Sequence, residues 1–208
     1  MPADSAPPRV GKGERTRQAI LRAAIEEFGR DGFRAASVTD IARAAQVSAT
    51  VPYAYFSDKE TLFLAALDKD AGGVIEDGLS RLAADRDIET SYPEALLAAL
   101  VGAVNHHPLA RRLLAGLEPH MTHRLLAIPA LDDLQNVVVA RMRVDQAAGD
   151  VRSDIDPVPV AGGIVAITLS LLMSVVQLGT DSHGRELGRV FAAALDPPVV
   201  DRRKRPRR

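Results

Sequence analysis

The sequence contains no cysteine, and aromatic residues make up only 4% of its 208 residues. Without cysteine there is no disulfide bond, no thiolate zinc site and no cysteine nucleophile. No nucleophile elbow, phosphate loop, zinc-binding helix or paired-carboxylate motif is visible either. We therefore expect a protein that is not an enzyme and needs no cofactor. An enzyme whose first part is only structural is the alternative from another functional class.

Charge is distributed unevenly along the chain, although the net charge is only −1. Residues 1–60 carry a net charge of +1, residues 61–200 carry −7 and residues 201–208 carry +5. An acidic body of this kind excludes a uniformly basic nucleic-acid binder, so any DNA contact must use a localised face. The first residues lack the apolar run of a secretory signal, and we expect a disordered tail over 1–13 and a cytoplasmic protein.

Helical periodicity dominates, and no segment alternates at the period of a strand, so we predict an all-α fold. A first helix is predicted from about residue 14 to 30, ended by Gly29 and Gly32. Three short-helix starts follow, with Thr39 and Ser48 as caps and a capping box from Ser57 to Glu60. The later helices are marked by helix breakers and apolar stripes. Weak points are predicted at Gly72, Gly73 and Gly78, helix starts at Pro93 and at Asp156–Pro157, and a break at Pro108. One helix carries an apolar stripe at Leu131, Leu134, Val138 and Met142, and a last helix over about 185–195 stops at Pro197–Pro198.

Two short helices joined by a tight turn, and supported by a first helix, predict a helix-turn-helix over residues 14–60. The second short helix of such a motif enters the DNA major groove, with its N-terminal turn against the base edges. The stretch "SATVPYAYFSDKE" suits this role. Its first residues, Ala49 to Val51, are small, while Tyr53, Tyr55 and Lys59 offer hydroxyl groups and a cation for phosphates.

The same region resembles the DNA-binding domain of the tetracycline-repressor (TetR) family of bacterial regulators. The similarity spans about forty residues, "FGRDGFRAASVTDIARAAQVSATVPYAYFSDKETLFLAAL". The matching positions are Phe28, Gly29, Gly32, Phe33, Ala35, Ser37, Val38, Asp40, Ile41, Ala42, Val47, Ser48, Tyr53, Tyr55, Phe56, Lys59, Glu60 and Leu62. The resemblance implies a ligand-responsive transcriptional regulator, most simply a repressor, that binds a palindromic operator as a homodimer.

The resemblance also implies roles for individual residues. The expected DNA contacts are Thr39 and Ser48 at helix starts, Ala49, Thr50 and Val51 at bases, and Tyr53, Tyr55 and Lys59 at phosphates. The sequence departs from the commonest family pattern at Thr50, Val51 and Pro52, where glycine, threonine and leucine are usual. We interpret Pro52 as marking the start of the recognition helix, with a tight or irregular first turn, because the residue before a proline avoids helical angles.

Residues 61–198 are predicted to form a helical domain for effector binding and dimerisation. The resemblance implies that helices around 157–179 and 185–195 form the dimer interface. No charged residue occurs between Val158 and Thr180, so we expect this helix to be buried on nearly all sides. A membrane span is the alternative, since the run is long enough; its polar and glycine residues and the lack of basic anchors argue against it.

The effector is not identified by the sequence. Beyond residue 60 the aromatic residues are only Phe63, Tyr92 and Phe191, which favours a lipophilic, acyl-like effector over a flat cation. His120 and Arg124 are candidates for its polar end. Histidine pairs at 106–107 and at 120 and 123 suggest a metal site, but cysteine and suitably spaced carboxylates are missing, so no metal is expected.

The basic residues 199–208 are expected to be a solvated, disordered tail, with a non-specific DNA contact as the alternative. A DNA-associated architectural or partner-binding protein without a small-molecule effector is the alternative function.

Overall fold

The structure is a computed structural model, and it describes residues 11–84, 92–121, 127–179, 190 and 193–194. Within these ranges all regular secondary structure is helical, which confirms the predicted all-α class. The α-helices are α1 (Lys12–Ala35), α2 (Val38–Ala44), α3 (Lys59–Ala84), α4 (Tyr92–Val104), α5 (Pro108–Leu114), α6 (Pro129–Ala148) and α7 (Pro157–Leu178). A short 3-10 helix, Val51–Ala54, lies between α2 and α3.

The chain divides into two compact units. Among the described residues, those up to 73 and those from 106 to 128 form the first unit, and those from 74 to 105 and from 129 onward form the second. The helix-turn-helix predicted over residues 14–60 therefore lies wholly within the first unit. So does α5, although it follows α4 of the second unit in the sequence.

The first unit is built around α1, which packs against α2 and α5. Its apolar stripe, which includes Ile20 and Leu21, is buried as the periodicity predicted. Three phenylalanine rings form the centre: Phe63 meets Phe28 and Phe33 edge-on, with ring centroids 5.1 Å and 5.2 Å apart. Edge-to-face pairs of this kind add to the free energy gained by burying the rings. This core holds α1 and the start of α3 together beneath the short helices.

The second unit is built around α7, which packs against α4 and α6. Its start was predicted correctly: the Asp156 side chain accepts a hydrogen bond from the Val158 N–H at 3.0 Å, directly before Pro157. Its end is also as expected from the sequence, since Gly179 has the left-handed φ of 68° that a helix C-terminus often requires. On α6, Leu134, Val138 and Met142 are buried, and Leu131 is half-buried.

The structure corrects two predicted helix breaks. Helix α1 runs through Gly29 and loses helical geometry only at Gly32, with φ 81° and ψ 170°. Helix α3 runs unbroken past Gly72, Gly73 and Gly78, where weak points were predicted. A glycine inside a helix costs only about 1 kcal/mol, which tertiary packing readily offsets. Gly78 allows such packing, because a Cβ there would lie 2.7 Å from Cδ2 of Leu100.

The expectation that α7 is buried on nearly all sides is wrong for the single chain. One stripe of α7 is buried, comprising Ala161, Ile164, Val165, Thr168 and Leu172. Elsewhere on the helix Val158, Ile167 and Leu178 are 45%, 42% and 68% exposed. Packing by α4 and α6 covers one face of α7, and its other face remains uncharged and open. By length and composition α7 also passes as a membrane span, as many core helices of soluble proteins do.

Two predicted segments lie outside the described residues. These are the basic tail over 199–208 and, apart from residues 190 and 193–194, the last helix over 185–195. At the other end of the chain, residues 1–10 of the tail predicted over 1–13 also lie outside the described residues, and α1 begins at Lys12, within that predicted tail.

Candidate nucleic-acid interface

The start of α2 is fixed by a hydroxyl group, but not by the predicted one. Ser37, not Thr39, is the N-cap: its Oγ accepts a hydrogen bond from the Thr39 N–H at 3.2 Å. Thr39 is instead an exposed residue of the first turn of α2. Its side chain is therefore free of the capping role and lies at the positive end of a helix, where an anion is stabilised.

The turn after α2 is a Schellman motif with an unusual residue. The Val47 N–H donates to the Ala42 carbonyl and the Gln46 N–H to the Arg43 carbonyl, both at 3.0 Å. Gln46, at the position that usually carries glycine, has a φ of 58°. A non-glycine residue in this left-handed region is strained by about 1–2 kcal/mol. The turn redirects the chain toward residues 48–56, which we call the recognition segment.

The recognition segment begins irregularly, as the position of Pro52 predicted. Pro52 is the second residue of a four-residue 3-10 helix, Val51–Ala54, and not part of a longer α-helix. The predicted cap, Ser48, is wrong: its Oγ lies 3.3 Å from the Thr50 Oγ1, and the 3-10 helix has no side-chain cap. Proline lacks the N–H of a regular ladder and restricts Val51, so the tighter i to i+3 pattern results.

The recognition segment is anchored by two buried residues and presents its two tyrosines outward. Pro52 and Phe56 are buried, and the Arg17 guanidinium lies 5.6 Å from the centroid of the Phe56 ring. Tyr53 and Tyr55, which lie between them in the sequence, are 57% and 36% exposed. The buried pair anchors the segment to the first unit and so fixes the direction in which the tyrosines point. Ser48, Ala49 and Thr50 are also exposed, and Val51 is half-buried.

The N-terminus of α3 follows directly and is capped by Asp58, one residue after the predicted Ser57. Oδ1 of Asp58 accepts a hydrogen bond from the Thr61 N–H at 2.7 Å. Hydrogen bonds from the Thr61 backbone and hydroxyl group, and from Ser57, hold the pKa of Asp58 below its ordinary value. Ser57 assists by donating to Asp58 at 3.1 Å. The cap fixes the first turn of α3, which carries Lys59.

Lys59 is half-buried at the edge of this surface. Its Nζ donates to the Arg34 carbonyl at 3.2 Å and lies 5.0 Å from the centroid of the Phe33 ring. An ammonium group has three donors, so one hydrogen bond to Arg34 leaves donors for a phosphate. The predicted cation is therefore present, but it is held by the junction between α1 and α2.

The start of α1 belongs to the same surface, which the sequence reasoning missed because it assigned residues 1–13 to a tail. A Cβ placed on Gly13 would lie 3.6 Å from the Tyr55 hydroxyl oxygen. Lys12 and Arg15, both exposed, flank this glycine on the first turns of α1. The signal was the basic run "GKGERTR", which places cations three residues apart on a helix.

Of the two predicted effector contacts, only His120 lies within the described residues. His120 is exposed, and its ring lies against the Arg34 guanidinium in the first unit. Arg124 lies outside the described residues. A role for either of them in effector binding stays a prediction.

Taken together, α1, α2 and the recognition segment form a helix-turn-helix with small residues and hydroxyl groups on its outer edge and cations beside them. This is the arrangement of a major-groove DNA-binding protein. Residues 20–66 match the family model described as "Bacterial regulatory proteins, tetR family". The helix-turn-helix is therefore of the tetR regulatory type, and the chain is similar to DNA-binding transcriptional regulators of that family. Proteins of this family are generally not enzymes and are soluble.

Two curated relatives are similar in sequence. The HTH-type transcriptional repressor NicS of Pseudomonas putida is 27% identical over 157 residues, which cover 71% of this chain and 71% of NicS. The HTH-type transcriptional regulator BetI of Rhizobium meliloti is 32% identical over 94 residues, covering 45% of this chain and 44% of BetI.

Solved structures share the fold at lower identity. A TetR-family transcriptional regulator from Cytophaga hutchinsonii superposes with a TM-score of 0.63 at 18% identity, covering 91% of this chain and 98% of that one. The transcriptional regulator FadR from Bacillus subtilis, solved in complex with stearoyl-CoA, has a TM-score of 0.53 at 16% identity, with coverages of 84% and 96%. These likenesses establish the common fold.

Proposed function

We propose that this protein is a cytoplasmic, homodimeric repressor that binds a palindromic operator and is released from it by a lipophilic effector. The observation that carries the DNA-binding part is the burial pattern of the recognition segment, in which two buried residues flank two exposed tyrosines. Buried Pro52 and Phe56 fix its backbone, and exposed Tyr53 and Tyr55 are directed outward. An aromatic pair with free hydroxyl groups at the edge of a helix-turn-helix suits phosphate contacts on both sides of a groove.

The DNA contacts divide by chemistry. Exposed Ala49 and Thr50, with half-buried Val51, form the part of the recognition segment that approaches the bases. Their methyl groups contact thymine methyls, and the Thr50 hydroxyl group contacts polar base edges. The phosphate contacts come from Thr39 on α2, Ser48 at the turn, Tyr53, Tyr55 and Lys59. Phosphate contacts position the protein, so only the first group determines which sequence is bound.

The test measures binding to DNA flanking the protein's own gene. We expect all three variants, Tyr53→Phe, Tyr55→Ala and Lys59→Ala, to weaken binding. Lys59→Ala should also lower the slope of log K against log salt by about one phosphate contact, whereas the two tyrosine variants remove no positive charge and should leave the slope unchanged. Tyr92→Phe is the matched control, since Tyr92 is the remaining tyrosine and lies on α4 of the second unit. Wild-type binding that all three interface variants leave unchanged would refute the assigned roles.

Dimerisation is supported by the open face of α7. Ile167 and Leu178 are exposed, and no charged residue interrupts the helix between Pro157 and Leu178. An apolar, uncharged helix face of this length is typical of a surface covered by another protein chain. With the helices around 157–179 and 185–195 as the interface, a two-fold dimer would present recognition segments about 34–36 Å apart, which requires a palindromic operator.

Sedimentation velocity tests the dimer. Ile167→Glu places a charge on the open face of α7 and is expected to shift the protein toward monomers and to abolish operator binding. Val144→Glu is the matched control, because Val144 is 64% exposed on α6. Unchanged sedimentation of the Ile167 variant would show that this face is not the interface.

The effector is proposed to be lipophilic because the buried side chains of α4, α6 and α7 in the second unit are almost all aliphatic. FadR of Bacillus subtilis, which shares the fold, was solved with stearoyl-CoA. Thermal-shift measurements should compare a long-chain acyl-CoA, the free fatty acid and a flat aromatic cation. A specific ligand raises the melting temperature by mass action. We expect a rise with an acyl compound, accompanied by release of DNA. No shift with either acyl compound would refute this effector class.

A further inference from the structure

The junction between α1 and α2 contains a helical turn whose N-cap residue has no side chain. Gly32 breaks α1 with φ 81° and ψ 170°, a region occupied essentially by glycine alone. The chain then makes one further turn, closed by a hydrogen bond from the Ala36 N–H to the Gly32 carbonyl at 3.1 Å. The N–H of Phe33, the first residue of this turn, needs an acceptor from elsewhere.

Glu118 supplies that acceptor from a distant part of the first unit. Its Oε1 accepts a hydrogen bond from the Phe33 N–H at 3.2 Å, although the two residues are 85 positions apart. The same oxygen accepts from Arg112 Nε at 2.7 Å, and Arg112 Nη1 donates to the Arg30 carbonyl at 3.4 Å. The Glu118 side chain is 10% exposed and that of Arg112 is 23% exposed, so solvent screens the pair only partly.

The junction leaves no room for a side chain at position 32. A Cβ on Gly32 would overlap Oε1 of Glu118 and lie 2.5 Å from Nη2 of Arg112. Glycine is therefore required at position 32 by its backbone angles and also by the close approach of these two side chains. Glu118 and Arg112 together hold both sides of the break, the Arg30 carbonyl before it and the Phe33 N–H after it.

The residues held in this way lead directly to the proposed DNA contacts. Phe33 lies beneath Lys59 Nζ, and the next residue, Arg34, accepts the hydrogen bond from Lys59 through its carbonyl group. Three residues further on, Ser37 caps α2, the helix that carries Thr39. The position of the junction thus determines where the Lys59 ammonium group lies at the start of α3 and where α2 begins.

We propose that Glu118 and Arg112 are positioning residues for operator binding. They do not touch DNA; they fix the α1–α2 junction so that Thr39 and Lys59 meet phosphates in register with the recognition segment. This inference rests on the proposed DNA-binding function. It assigns a DNA-binding role to two residues that lie far from the helix-turn-helix in the sequence.

The experiment measures operator affinity by fluorescence anisotropy over a series of salt concentrations, with the melting temperature of each variant. Glu118→Ala should weaken operator binding by about tenfold or more and lower the salt slope by about one phosphate contact, because Lys59 is the cation that the junction positions. Glu118→Gln keeps an oxygen acceptor for the Phe33 N–H and should restore most of the affinity. Arg111→Gln, at an exposed neighbouring position, is the matched control and should bind as the wild type does.

A purely structural role predicts a different result. The melting temperature would fall, but the folded Glu118→Ala protein would keep the wild-type affinity and salt slope, and this outcome would overturn the proposal. If Glu118→Ala does not fold, Arg112→Lys decides the question: it keeps the charge but loses the guanidinium geometry, so a lower affinity supports the proposal and an unchanged one overturns it. A wild-type protein that binds no operator would instead refute the proposed function.

Discussion

The carboxylate of Asp70, on α3, holds the ring of His107, with Asp70 Oδ1 3.0 Å from His107 Nδ1. The other carboxylate oxygen accepts hydrogen bonds from the N–H groups of Leu109 and Ala110 at 3.0 Å and 2.8 Å. His107 is the N-cap residue of α5 but makes no side-chain capping bond of its own. Asp70 therefore caps α5 from another helix while it also positions the N-cap residue.

Removal of this long-range cap is expected to destabilise the protein. Asp70 is 4% exposed, so Asp70→Ala would leave two buried N–H groups without an acceptor. We expect a loss of about 2–4 kcal/mol in the free energy of unfolding. Asp70→Asn keeps one acceptor oxygen and should lose less. Urea denaturation measures both, with exposed Lys69→Ala as the control; equal stability of Asp70→Ala and the control would contradict the capping role.

The strained turn after α2 predicts a stabilising substitution. Gln46 has a φ of 58°, which glycine adopts without strain. Gln46→Gly is expected to raise the free energy of unfolding by about 1 kcal/mol. Gln46→Ala retains the Cβ that causes the strain and should show no such gain. Thermal denaturation of the pair isolates the effect of the backbone conformation; a gain shared by both variants would mean that the Gln46 side chain itself is unfavourable.

The cap of α3 predicts a pH dependence of stability. Hydrogen bonds from Thr61 lower the pKa of Asp58 in the folded protein relative to the unfolded chain. A lowered folded-state pKa gives a stabilisation that is fully present above the unfolded-state pKa of about 4 and is lost as the pH falls through the folded-state value. Asp58→Asn should therefore be less stable than the wild type at neutral pH and approach it in acid. Denaturation midpoints measured across this range test the sign; a difference that grows in acid would contradict it.

Two helical glycines predict opposite effects of the same substitution. A Cβ on Gly29 would lie 2.7 Å from the Pro108 Cβ and 3.1 Å from its carbonyl carbon. Gly29→Ala is thus expected to cost about 1–3 kcal/mol through overpacking between α1 and α5. Gly163 on α7 has no atom within 4 Å of such a Cβ, so Gly163→Ala should gain about 0.5–1 kcal/mol from helix propensity within one chain.

Thermal denaturation at several protein concentrations measures both glycine variants. The Gly163 substitution lies on the open face of α7, so an effect on dimerisation would appear as a change in concentration dependence, separate from the stability of one chain. A Gly29→Ala protein as stable as the wild type would show that α1 and α5 are packed less closely than this structure has them.

Helix ends illustrate how far the sequence was informative. Asp156 was identified correctly as a helix start because it directly precedes a proline, which is favoured in the first turn. At α2 and α3 the predicted caps were wrong: the structure uses Ser37, two residues before Thr39, and Asp58, one residue after Ser57. Which hydroxyl or carboxylate meets the free N–H groups depends on the angle at which the chain enters the helix, and packing sets that angle.

The sequence by itself determined the all-α class, the helix-turn-helix and the irregular first turn at Pro52, because these follow from residue spacing, capping residues and the restricted angles of proline. Only the tertiary structure decided that Asp70 and Glu118, two buried carboxylates, cap turns 39 and 85 residues away in the chain. It also decided that α7 keeps one face open and that the first turn of α1 lies beside Tyr55. Periodicity records which face of a helix is apolar, whereas a contact between distant residues depends on how the whole chain packs.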